Sequence, residues 1–147
     1  MTLRRFAELG ICLAALALPT IAAAQPNVAL DSAAFVERPS ETGRSLEPID
    51  RLSRGDRVVY IVTWYKLGGQ GGFTVTNPLP RSVAYQGSAN DDEEISVDGG
   101  KTWGRLGALQ IGGQLASPND VTHVRWRVTA SRAASGSGRI AYSALVR

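Results

Sequence analysis

The chain contains little of the chemistry from which small catalytic or metal sites are usually built. Its 147 residues include one cysteine, one histidine and one methionine. Single copies leave almost nothing for a metal site or a Cys/His catalytic pair. Sixteen basic residues against 13 acidic ones give a net charge of +3, which is too small and too dispersed to indicate nucleic-acid binding. The length supports one domain, which excludes large enzyme architectures.

The first 24 residues have the pattern of an export signal. Arg4 and Arg5 form a basic start, and an apolar run over 11–24 ends in three alanines. This pattern predicts a secretory signal peptide of the Sec type, cleaved after Ala24. The run is shorter than the ~20 residues of a spanning helix, so an uncleaved anchor is the weaker alternative. We therefore expect a periplasmic or secreted protein with no stable membrane span.

Cleavage after Ala24 changes the composition of the remaining chain. Cys12 lies within the signal, and the bulky Ile11 before it argues against a lipid-attachment site. The remaining domain, 25–147, has 14 basic residues against 12 acidic ones, no cysteine, and 15 of the 16 glycines. A glycine-rich chain without disulfides predicts an ordinary hydrophobic core with many turns.

Short apolar or alternating segments after residue 24 predict an all-β fold. The sequence 57–65 is apolar at successive positions, as in a central strand covered on both faces. The candidate strands are 27–36, 57–65, 73–76, 82–86, 94–98, 103–109, 123–128 and 139–146. With turn residues between them, seven to eight short strands predict an antiparallel β-sandwich.

Alternation along two strands also indicates a possible interaction surface. In 123–128, His123, Arg125 and Arg127 should face outward while the residues between them face the core. They would form a cationic face for an anionic sugar or phosphate, or a solvated sheet face. Trp64 and Tyr65 cannot both point inward from one strand, so one of them is a second candidate contact residue.

Six segments within roughly 46–147 form a further pattern: RGDRVVYIVT (54–63), TVTNPLP (74–80), VAYQGSA (83–89), SVDGG (96–100), THVRW (122–126) and SGRIAY (137–142). In this order they resemble the bacterial conserved-repeat domain (domain of unknown function eleven). Two turns depart from the family pattern, at 65–66 and at 133–136. The resemblance implies an immunoglobulin-like surface module without a common enzymatic activity.

One motif is shared with enzymes. Ser96, Asp98, Gly100 and Trp103 fit the S-x-D-x-G-x-T-W "Asp box" of sialidases, and Gly99 completes its turn. In those enzymes the motif recurs in every blade of a propeller, which needs at least ~4 blades. One copy in a chain of this length predicts a structural turn, and no pair of carboxylates is placed as acid and nucleophile.

The acidic run 91–94 is either a solvated loop or a source of oxygen ligands for Ca²⁺. Together these features predict an exported, non-enzymatic module of the cell envelope that needs no cofactor. Its partner would be an envelope protein or a glycan. The alternative is a small exported carbohydrate-binding or glycoside-hydrolase-related protein, on the strength of the Asp-box-like motif.

Overall fold

Strands make up most of the chain that the computed structural model describes, which is residues 27–90 and 92–147. In these residues the strands are β1 (Val28–Ser40), β2 (Gly43–Pro48), β3 (Arg57–Lys66), β4 (Phe73–Pro78), β5 (Val83–Ser88), β6 (Glu93–Ser96), β7 (Gln110–Ile111), β8 (Gln114–Leu115), β9 (His123–Val128) and β10 (Ser137–Val146). A turn of 3-10 helix (Pro118–Asp120) precedes β9, and a four-residue helix, α1 (Ala130–Ala133), follows it. No helix within these ranges is long and apolar enough to cross a membrane. The predicted signal peptide, 1–24, lies outside the described residues.

The strands pair antiparallel into two main sheets. The larger sheet has the order β2-β1-β3-β10-β5, and the smaller sheet has the order β4-β9-β6. β7 and β8 form a separate short hairpin. One hydrophobic core draws side chains from both main sheets, so the predicted all-β antiparallel sandwich is confirmed.

The chain passes between the two sheets in a nested order. β3 pairs with β10 in the larger sheet, while β4 and β9, which follow and precede them along the chain, pair in the smaller sheet. Inside this nest, β5 pairs with β10 and β6 pairs with β9. The chain therefore crosses repeatedly between the two sheets of the sandwich. As a result, β6, which comes directly before the Asp-box-like turn, lies beside β9, which comes after it, in the smaller sheet.

Aromatic side chains form the centre of the core. Trp64 from β3, Trp126 from β9 and Tyr142 from β10 are almost completely buried. The rings of Trp126 and Tyr142 lie 5.3 Å apart. Smaller side chains fill the space around them: Val62, Val75, Leu79, Val83, Ile95, Val124, Val128 and Ile140. The inward residues of β9 are those that the alternation predicted, so its intervening residues face out.

β3 is covered on one face, although its sequence predicted cover on both. Val58, Val62 and Trp64 are buried against the smaller sheet. On the opposite face Val59 and Ile61 are only half-buried. Within the described residues, the larger sheet therefore has an apolar outer face beside a solvated edge.

The predicted strand at 103–109 is wrong. After Trp103 the chain makes one isolated bridge, between Gly104 and Ile95, and then turns. Gly107 has a φ of 91°, a left-handed conformation that a continuous strand cannot contain. At the other end of the fold, β1 runs past the predicted end at residue 36 because it forms a hairpin with β2.

Candidate functional site

The Asp-box-like motif forms a tight turn directly after β6. The Asp98 carboxylate accepts hydrogen bonds from the backbone N–H of Lys101 at 3.1 Å and of Thr102 at 2.9 Å. The Thr102 hydroxyl donates to its other oxygen at 2.7 Å. Gly99 and Gly100 have φ values of 81° and 89°, which glycine adopts without strain. The turn therefore uses the carboxylate of Asp98 as its own internal acceptor.

Ser96 and Trp103 close this turn with further hydrogen bonds. The Ser96 side chain is completely buried, and its hydroxyl donates to Asp98 at 2.8 Å. The same hydroxyl accepts from the backbone N–H of Gly100 at 2.9 Å. The indole Nε1 of Trp103 donates to the Gly100 carbonyl at 3.0 Å. The five residues predicted as a structural turn thus lie together and fix the position of the indole.

We expect this turn to make stability depend on pH in the acid range. Hydrogen bonds, first from Thr102 and then from Ser96, hold the pKa of Asp98 well below its ordinary value of 3.8. Because the folded pKa is lowered, this contribution is complete above the ordinary pKa and is lost as the pH falls toward the lowered value. The difference in Tm between wild type and Asp98→Asn should be constant above about pH 5 and shrink below about pH 4.

A matched control for this experiment is Asp50→Asn, because Asp50 is exposed on the connection between β2 and β3. Its Tm difference from wild type should stay small throughout. Thermal melts followed by circular dichroism across this pH range check both variants. A wild-type advantage over Asp98→Asn that persists undiminished in acid would contradict the assignment of the carboxylate as the acceptor of the turn.

The outward residues of β9 meet the Trp103 indole on the outer face of the smaller sheet. The guanidinium carbon of Arg125 lies 4.3 Å from the centre of the Trp103 ring, within cation–π distance. Arg125 Nε also donates to the Glu94 carboxylate at 2.8 Å. His123 lies edge-on to Trp103, with ring centres 6.4 Å apart. We call Glu94, Trp103, His123, Arg125 and Arg127 the β9 platform.

The two arginines of the β9 platform pair with the same carboxylate but differ in their exposure to solvent. Glu94 also pairs with Arg127, whose Nε lies 3.4 Å from the carboxylate. The hydrogen bond from Arg125 is the main cause of the lowered pKa of Glu94. The Arg125 side chain is 22% exposed, whereas that of Arg127 is 68% exposed. Two guanidinium groups around one carboxylate leave a net positive surface with one fixed and one accessible cation.

The structure does not bring all predicted contact residues to this surface. His123, Arg125 and Arg127 lie together, as their shared strand face predicted. Trp64 is a correction, because it is fully buried in the core and cannot contact a partner. Tyr65 is 43% exposed, but it lies on the larger sheet, opposite Ala29 and Ser137.

Glu94 is the platform residue that sequence reasoning missed. It belongs to the acidic run 91–94, whose first residue lies outside the described ranges. Glu93 pairs in register with the buried Trp126, whereas Glu94 pairs with Arg125, so the two carboxylates face opposite sides of β6. The described residues hold no group of three His, Cys, Asp or Glu side chains that could bind a metal ion. Only the strand register identifies Glu94 as a partner of the arginines.

A separate charged groove at the β1–β2 end does not offer free cations. It has a volume of about 510 Å³ and is lined by Arg38, Arg44 and Arg57. Arg38 pairs with Asp56 at 2.6 Å, and Arg44 pairs with Glu37 at 2.6 Å. Arg57 approaches Glu37 at 3.5 Å. Arg44 and Arg57 share the Glu37 carboxylate much as the arginines of the β9 platform share Glu94, but no aromatic ring is among the residues that line the groove.

The β9 platform is thus the surface at which an aromatic ring and an accessible cation meet. The carboxylate of Asp98, next to this surface in sequence, is engaged by its own turn. The resemblance to the bacterial conserved-repeat domain stays a prediction. No protein-family model matches this chain, and comparison with curated proteins and with solved structures gives no significant match.

Proposed function

We propose that this chain is an exported, non-enzymatic β-sandwich module of the bacterial cell envelope that binds a partner through the β9 platform. The stacking of Arg125 on Trp103 carries the proposal. A side chain that is already held in one position loses less conformational entropy on binding. The export part rests on the sequence pattern of residues 1–24.

The platform favours an anionic group on the partner. Arg125 covers one face of Trp103, so the surface offers guanidinium N–H groups in place of an open indole ring. Arginine binds carboxylate, sulfate and phosphate groups through charge-assisted hydrogen bonds. Thr74 and Thr76 of β4 are exposed and lie in register opposite Arg127 and Arg125, which adds hydroxyl groups beside the cations.

Carbohydrate binding is the second candidate, and Trp103 is the observation that favours it. A neutral sugar would need a free aromatic face, whereas an acidic sugar would use the arginines directly. The glycoside-hydrolase form of this alternative has less support, because both oxygens of Asp98 accept hydrogen bonds from within the turn. Binding and hydrolysis make different demands on these residues and can be separated experimentally.

The test uses protein purified from the periplasmic and culture fractions of cells expressing the full chain. Mass spectrometry of its N-terminus reports whether cleavage occurs after Ala24. The purified protein is then applied to an array of neutral glycans and of glycans that carry uronic acids or sulfates. We expect binding only to acidic glycans, weakening with added salt. Arg125→Ala and Arg127→Ala should each lower affinity about tenfold, equivalent to about 1.4 kcal/mol.

Arg54→Ala is the matched control, since Arg54 is an exposed cation near β3, away from the platform. It should bind as the wild type does. Retained affinity in the Arg125→Ala/Arg127→Ala double variant would contradict the platform as the binding surface. Turnover of a glycan that is lost on a single polar substitution would contradict the non-enzymatic proposal and favour a hydrolase.

A further inference from the structure

The outer face of the larger sheet carries an apolar surface that the rest of the described chain leaves open. We propose that two copies of this chain pair through this face, formed by the outward residues of β1, β3 and β10. In β3 those residues include Val59, Ile61 and Thr63, and none of them is buried as the inward residues are. The proposal is independent of the β9 platform, which lies on the outer face of the other sheet.

The strand registers define rows of residues across this face. Ile61 lies between Ala33 of β1 and Ala141 of β10. Val59 lies between Phe35 and Ser143 in the next row. Both rows thus have an apolar residue in the middle, and the second row has a large side chain on one side and a small one on the other. An apolar sheet face of this kind commonly marks an interaction site.

The two sides of the face differ in shape. The large side chain of Phe35 lies on the β1 side, where it is half-buried, whereas an open groove of about 360 Å³ lies over β3, β10 and β5. Its walls include Gly87, Ala141 and Ser143, whose small side chains leave the space. A single surface therefore carries both a large side chain and a depression at the same level along β3.

Opposite charges flank the next row. Asp31 of β1 and Arg139 of β10 both lie beside Thr63, and both are exposed. Neither side chain forms an ion pair with another of the described residues. They are separated by β3, at about twice the ~4.8 Å spacing of neighbouring strands. Each charge is thus available to a partner that presents the opposite sign.

A second copy of the same surface meets these requirements. If a two-fold axis runs between the copies parallel to β3, the β1 side of one copy faces the β10 side of the other. Asp31 then faces Arg139 of the second copy, twice, and Phe35 faces the groove beside Ser143. Ile61 meets its own counterpart on the axis. Aligned face-to-face packing of two sheets is a common arrangement in proteins.

The size of the face is adequate for such a dimer. Three strands at ~4.8 Å spacing and ten residues at ~3.3 Å rise give about 14 by 33 Å. That is about 460 Å² from each copy and ~920 Å² in total, before β2 and β5 are included. A specific interface needs about 1,000 Å² with good complementarity. With the outward residues of β2 and β5 added, the face is therefore large enough for a dimer.

The experiment is sedimentation analysis of the protein purified from cells expressing the full chain. We expect a concentration-dependent dimer in the wild type. Asp31→Arg should weaken dimerisation at least about tenfold, and adding Arg139→Asp should restore it, because the two charges are exchanged. Ile61→Arg should give a monomer with an unchanged circular dichroism spectrum, since its side chain lies outside the core.

Thr74→Arg is the control, because it adds the same charge to the outer face of the smaller sheet and should leave the dimer intact. A wild type that is monomeric at about 100 μM, two decades above a μM affinity, would overturn the proposal. A dimer that survives Ile61→Arg would do so as well.

Discussion

Replacing Trp126 by alanine is expected to cost about 4 kcal/mol of unfolding free energy, within the ~3–5 kcal/mol observed when large buried aromatic residues are truncated. The indole is fully buried between the sheets and packs 5.3 Å from Tyr142. Its Nε1 also donates to the Ser88 hydroxyl at 3.0 Å. Since small domains have ~5–15 kcal/mol in total, this one change should remove much of the stability. Urea denaturation followed by circular dichroism measures it.

Trp103→Ala is the matched control, because it removes the same side chain from a half-buried position on the surface. Its cost should be about 1 kcal/mol, because little core volume is lost. It should nevertheless disturb the β9 platform, which the Trp126 change affects only through unfolding. Equal costs for the two tryptophans would contradict the location of the core between the sheets.

Adding one methyl group at Gly138 is expected to cost about 2 kcal/mol, in the ~1–3 kcal/mol range of overpacked cores. Gly138 lies opposite Trp64 on the neighbouring strand. A Cβ atom there would lie 2.6 Å from Cε2 and 2.9 Å from Nε1 of the Trp64 indole. Gly138 does not have a left-handed backbone, so the cost of Gly138→Ala comes from the clash and not from a strained backbone conformation.

Two further variants test this cause. Gly68→Ala is the control, because its nearest contact would be an ordinary 3.7 Å from Asn27. It should change stability by less than about 0.5 kcal/mol. In a Trp64→Phe background, Gly138→Ala should cost about 1 kcal/mol less, since the outer part of the indole is gone. A cost that is the same in both backgrounds would assign the effect to the backbone.

Side-chain alternation was sufficient to predict the inner and outer faces of β9. Val124 and Trp126 are buried while Arg125 and Arg127 face out, because adjacent side chains on a strand point to opposite sides. The Asp-box-like turn was also predictable, since its acceptor and its glycines are close in sequence. Both features depend on interactions within a few residues.

The parts that could not be predicted depend on distant pairing. Glu94 becomes part of the platform only because β6 pairs with β9 in a register that places it opposite Arg125. The strand expected at 103–109 failed because one left-handed glycine, Gly107, interrupts an otherwise favourable apolar pattern. The cover expected on the second face of β3 is absent from the described chain. No local pattern specifies which surface meets that face.

The nested winding also constrains when the fold can form. β3 and β5 both depend on β10 as their shared neighbour, and β10 comes from residues 137–146. Until that segment has been synthesised, the larger sheet is split in two and Trp64 has no Gly138 against which to pack. Folds that depend on such distant contacts form slowly. The larger sheet should therefore remain incomplete until residues 137–146 have been synthesised, however early β1, β2 and β3 come together.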